Sequence, residues 1–62
     1  MSNALLFVHN LIFDAKREGC TYIEVPCDLL IGTDLDILRE EGYIIKHDDI
    51  YHIHTITWKL LT

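Results

Sequence analysis

His52 and His54 stand two apart, and in a β-strand that spacing sends both imidazoles to the same side. His47, or Asp48, lies across the adjoining turn and would bring the donors to three, the smallest protein ligand set of a zinc site. No Cys-x-x-Cys and no His-Glu-x-x-His accompanies them. Two half-exposed strand histidines, or a pair at an interface, satisfy the same spacing. The expectation is therefore no resident metal and no cofactor, with His47, His52 and His54 as the candidate ligands if one is present. Cys27 is the second chemical candidate, because a thiol near a helix N-terminus can lose its proton more readily. Its base would have to be His9, the one histidine in a predicted helix. Nucleophilic catalysis needs a positioned base and an oxyanion or phosphate loop, and no such loop is recognisable. The expectation is a small apolar Cys27 and a chain that is not an enzyme. Cys20 and Cys27 are too few for the disulfide framework of a small secreted domain. They read as reduced thiols of a cytoplasmic protein, with a single bridge the alternative.

Acidic residues form a third grouping. Asp28, Asp34, Asp36, Glu40, Glu41, Asp48 and Asp49 place seven of ten acids within 22 positions, interrupted by Arg39 and Lys46 alone among bases. A solvated helix face explains them, and so does a negative surface suited to a basic partner. With five basic residues, a net charge of −5 and a pI near 5.0, the chain lacks the basic face that a phosphate-backbone binder needs.

The elements that must position these groups are legible from punctuation and period. Ser2 or Asn3 caps a helix over Ala4–Glu18, with Lys16 and Arg17 in its last turn and Gly19 as the left-handed stop. Ala4, Leu5, Val8, Leu11, Ile12 and Ala15 fall on one stripe of that helix. Thr21-Tyr22-Ile23-Glu24-Val25 alternates as a strand that Pro26 ends, with Ile23 and Val25 facing inward. Asp28–Glu41 reads as a second helix with Ile31, Leu35 and Leu38 inward and Gly42 as its stop. Gly32-Thr33 weakens its middle, and Thr33 with Asp36 could cap a later start. Tyr43–His47 and Ile50–Trp58 read as a hairpin turning at Asp48-Asp49, with the Ile56 and Trp58 side favoured as the inner one. The fold class is α+β in the order α-β-α-β-β: one domain over residues 1–62, with a small, mostly antiparallel three-stranded sheet and two helices on one face.

At 62 residues, a chain buries only about 60% of the surface its unfolded form exposes. Half of the residues are apolar and mean hydropathy is positive, so side chains are left over once the core is filled. Leu6, Phe7, Phe13, Leu30, Ile37, Leu60 and Leu61 are the expected surplus, a surface for self-association or a protein partner. A twofold homodimer is the simplest way to cover it. No stretch has the roughly 20 apolar residues that cross a bilayer.

The layout Thr21-Tyr22-Ile23-Glu24-Val25-Pro26, then a helix closing in Leu38-Arg39-Glu40-Glu41-Gly42-Tyr43-Ile44-Ile45, then a hairpin ending in Ile56-Thr57-Trp58, resembles the small early proteins of large tailed bacteriophages. The resemblance runs from Leu5 to Trp58 and rests on loose motifs, Gly42-Tyr43 after an amphipathic helix and a terminal Trp58. It implies a non-enzymatic factor of the host cytoplasm that binds and inhibits a bacterial host or defence protein. Such proteins share no catalytic residues, so none carries over. The helix-Gly-Tyr-hairpin portion is also similar to half of a winged helix, which would make the chain a DNA-binding regulator, and to part of a ribosomal RNA-binding domain. The acidic surface departs from both. The expected function is protein binding through an apolar patch with an acidic rim, without direct contact to nucleic acid or membrane.

Overall fold

A computed structural model describes residues 2–58. Five elements follow one another: α1 (Asn3–Arg17), β1 (Tyr22–Pro26), α2 (Gly32–Glu40), β2 (Ile44–Asp48) and β3 (Ile53–Thr57). The sheet has the order β1-β3-β2 and is antiparallel throughout. β1 and β2 flank β3 and therefore run parallel to each other, joined by the crossover through α2. The expected α+β class and element order stand.

Capping chemistry defines both helices. The Ser2 hydroxyl accepts the Leu5 N–H at 3.0 Å and starts α1. At its end, the Cys20 N–H reaches the Ala15 carbonyl and the Gly19 N–H reaches that of Lys16. The same pair of bonds closes α2, from Tyr43 to Leu38 and from Gly42 to Arg39. Both are Schellman endings, which need a left-handed residue. Gly19 and Gly42 supply it, at φ of 83° and 98°.

α2 is shorter than the sequence suggests. It begins at Gly32 rather than Asp28, because residues 27–29 turn after Pro26 and the Asp34 carboxylate accepts the Ile31 N–H at 3.4 Å. Gly32 thus opens the helix instead of weakening its middle. The shortened helix re-sorts its neighbours. Ile31 is exposed rather than inward, and Leu30 is buried in the core rather than left over. Asp34 is also buried: its carboxylate accepts the Ser2 hydroxyl at 3.0 Å, so it leaves the acidic surface to which its charge assigned it. The hairpin turn spans 49–52 rather than Asp48-Asp49, so β3 starts at Ile53.

Core residues lie on one face of the sheet. Val25 and Ile56 are buried there, with Ile23 and Ile45 partly buried beside Ile56 in register. Leu5, Val8, Ile12 and Ala15 of α1 and Leu38 of α2 close over them. Ser2–Asp34 and His9–Glu41 contacts link the two helices, and each joins residues 32 apart in sequence. The helices therefore run side by side in the same direction. Beyond the last rung, Tyr43 and Trp58 meet edge to face, and the Lys16 ammonium sits 5.4 Å from the first ring and 5.6 Å from the second. The sheet's other face is uncovered among the described residues, with Tyr22, Thr57 and Ile44 forming one row across it.

Gly42→Ala puts a Cβ on a left-handed residue and should cost about 1–2 kcal/mol in urea unfolding. Gly32→Ala, at the start of α2 with open space around the new Cβ, should be neutral or stabilising by up to about 1 kcal/mol. Equal losses at both positions would refute this account of the α2 ends.

Candidate functional site

At the hairpin end, strand register brings together groups that are distant in sequence. Val25, His54 and His47 form one rung across all three strands. They share the helix-facing side, where His54 is buried and His47 is half exposed. Cys27 lies two residues beyond Val25, and its N–H donates to the His52 carbonyl at 2.9 Å, extending the β1–β3 ladder. Its side chain returns to the same face as Val25. The Cys27 Sγ is 3.3 Å from His47 Nδ1, and the two imidazole centroids are 5.0 Å apart. One donor atom from each of Cys27, His47 and His54 lies within 4.8 Å of the other two.

Electrostatics specifies the protons. His47 Nε2 is 2.6 Å from the Asp49 carboxylate. An imidazole donating through Nε2 offers a lone pair at Nδ1, and the Cys27 thiol donates into it. Burial pushes the Cys27 thiol up, helped by the carboxylates of Asp28, Asp49 and Asp48. Burial likewise pushes His54 down, with His47 and Arg39 adding in the same direction. His54 Nδ1 is buried and has no hydrogen-bond partner among the described residues.

Cys27, His47 and Asp49 have the order of a nucleophile, a base and an orienting acid. A cysteine nucleophile, however, works as a thiolate and sits where its pKa is lowered. Here the surroundings act the other way. The same three donor atoms could also hold a cation, which would replace the thiol proton between Cys27 and His47.

The structure regroups the sequence candidates. His47 and His54 do meet. His52 is exposed in the turn at φ 55° and does not share a strand face with His54; Cys27 stands where a third donor was sought. His9, the proposed base for Cys27, instead contacts Glu41 at 2.8 Å. Cys20 and Cys27 are both free thiols. Of the apolar surplus, Leu6, Phe7, Phe13 and Ile37 are exposed, and Leu60 and Leu61 lie outside the described residues. Asp28, Asp36, Glu40, Glu41 and Asp49 are exposed acids. Asp48 is half-buried and accepts the Ile50 and Tyr51 N–H groups, which shapes the turn. Ile50 at the tip, Ile31, and Ile44 on the open sheet face are exposed apolar groups that periodicity did not reveal, whereas exposed Tyr22 and Tyr51 lie on the sides that alternation left outward.

No family model, curated protein or solved structure matches the chain. Among the described residues, no helix is long and apolar enough to cross a membrane.

Two stability measurements probe these assignments. Asp34→Ala orphans the Ser2 hydroxyl and the Ile31 N–H, and should cost about 1–3 kcal/mol. Asp36→Ala removes an exposed pair with Arg39 and should cost at most about 0.5 kcal/mol. Equal effects in urea unfolding would place Asp34 on the surface after all. The pH dependence follows from His54, whose folded pKa lies below its ordinary 6.5. Between those two values the unfolded chain binds a proton that the folded chain refuses. With chelator present, stability should be complete above about pH 6.5 and fall as pH drops toward the folded value. His54→Gln should flatten that limb of the unfolding midpoints, and an unchanged limb would assign it to another group.

Proposed function

We infer that this chain is a non-enzymatic protein-binding module whose contact surface is the outward side of α1. The observation that carries the reading is that Leu6, Phe7 and Phe13 are 53%, 52% and 62% exposed on a single helix. The opposite stripe of that helix already fills the core; Leu6 and Phe13 lie well off it on one flank, Phe13 under the Arg17 guanidinium, and Phe7 lies on the other flank. About half of each remains to be covered, and full burial of such a side chain gives roughly 1.5–3 kcal/mol. One copy thus offers roughly 2–5 kcal/mol, and twofold pairing doubles it. Association costs about 4–15 kcal/mol in lost freedom and ordering. A homodimer through this face alone is weak. A partner with an apolar groove of its own binds more tightly, and central desolvated anchors such as Phe13 then carry most of the energy.

Charge selects the partner. Asp28, Asp36, Glu40, Glu41 and Asp49 are exposed on or beside α2 and the hairpin, and the chain is net −5. These groups favour a basic protein surface and speed its encounter. They also repel phosphates, which weighs against placing α2 in a DNA groove. The resemblance to early phage proteins supports a bacterial host or defence protein as the target, inhibited in the host cytoplasm.

Immobilised wild-type chain should retain a basic bacterial protein from lysate, and Phe13→Asp and Leu6→Asp should each lose it with unchanged far-UV circular dichroism. Sedimentation of the wild type should show only weak, concentration-dependent self-association. Retention of the same protein by both variants, or of none by the wild type, would overturn the reading.

A further inference from the structure

We propose that Cys27, His47 and His54 form a Zn²⁺ site at the hairpin end of the sheet, one thiolate and two imidazoles with the fourth position open to water. Each strand contributes: Cys27 follows β1, His47 is in β2 and His54 is in β3. Bound zinc would clamp the hairpin to the β1–α2 junction.

Geometry carries the case. Zinc–sulfur and zinc–nitrogen bonds of about 2.3 and 2.0–2.1 Å, set tetrahedrally, put sulfur about 3.6 Å from nitrogen and the two nitrogens about 3.3 Å apart. Cys27 Sγ and His47 Nδ1 are 3.3 Å apart as they stand. The full set lies within 4.8 Å, so closure asks for about 1–1.5 Å of movement. His47 is half exposed and its partner Asp49 is almost fully exposed, so the two can shift together to supply it.

Two further features point the same way. His47 bonds Asp49 through Nε2, the ring nitrogen that faces away from the thiol. Metal-binding histidines are held in this manner, with a carboxylate fixing tautomer and ring orientation. His54, 8% exposed, keeps Nδ1 without a partner among the described residues, which is costly for a buried polar atom. Binding releases the thiol proton to solvent, and Zn²⁺ takes the vacated lone pair with no change of oxidation state.

Co²⁺ serves as the spectroscopic probe. One equivalent added to the reduced full chain should give a near-ultraviolet thiolate-to-cobalt band with the intense visible bands of tetrahedral cobalt, and Zn²⁺ should bleach both. Cys27→Ser and His54→Gln should abolish the bands, whereas Cys20→Ser and His52→Gln should keep them. Circular dichroism identifies any variant that fails to fold. A readout on the wild type guards against that outcome: Zn²⁺ should slow alkylation of Cys27 but not of exposed Cys20 in the same molecule. Thermal midpoints should rise by roughly 20 °C at about a hundredfold excess of Zn²⁺ over Kd. Absence of a thiolate band, its survival in Cys27→Ser, or equal protection of both cysteines would overturn the site. The α1 surface is not involved, so loss of protein binding in Phe13→Asp leaves this result unaffected.

Discussion

Everything in this molecule depends on the register of one central strand. β3 is bonded on both sides, and each of its residues has a fixed partner in β1 and in β2. Sliding β3 by one residue would turn Ile56 and His54 to the open side and bring Thr55 and Thr57 into the core. The same register makes the Ile23–Ile56–Ile45 rung a packing layer and the Val25–His54–His47 rung a chemical one. Core and candidate site are therefore two consequences of one pairing, with one intervening rung of Glu24, Thr55 and Lys46 facing away from both.

Two polar tethers hold the helices on that sheet face. The His9–Glu41 tether lies seven residues, two turns, beyond the Ser2–Asp34 tether along each helix. The buried Asp34 carboxylate serves both helix N-termini at once, since Ser2 caps α1 and Ile31 precedes α2. A core this thin has little apolar burial to spare, so interactions that fix helix direction matter more than they would in a larger domain. The arrangement also explains the leftover apolar surface. Each helix can bury one stripe, and a three-stranded sheet leaves no second layer to cover the rest.

Sequence reasoning reached the fold because the signals were local. Ser2, Gly19, Pro26 and Gly42 mark element ends by backbone chemistry that does not depend on distant contacts. The α1 stripe was equally legible, whereas the inner side of the last strand was only favoured by its polar Thr55, Thr57 and Lys59, and Ile56 and Trp58 are indeed buried. The turn was not legible. A two-residue turn at Asp48-Asp49 pairs His47 with Ile50, whereas the four-residue turn at 49–52 pairs it with His54. The difference is an even number of positions, so the inner face was read correctly while the partner of His47 was missed. Left-handed His52 is what completes the longer turn, and no dipeptide rule marks a histidine there. Cys27 escaped for a related reason: its approach to His47 needs β1 and β2 to flank β3, a long-range arrangement with no trace in local spacing. Asp34 and Leu30 were misplaced by a helix start set four residues too early.

The two ends of the sheet are closed by different chemistry, and the contrast bears on what the hairpin end is for. At one end Lys16, Tyr43 and Trp58 make a cation–aromatic seal whose ammonium remains hydrated. At the other, a position equivalent in depth carries His54. A leucine there would fill similar space without a polar atom to satisfy, and burying an unbonded imidazole nitrogen costs free energy that an aliphatic side chain avoids. Packing alone therefore does not account for histidine at 54, nor does it account for a thiol and a second imidazole converging on it. Cys27 and His47 already share one hydrogen bond, and the zinc site proposed above would engage the unpartnered His54 together with them.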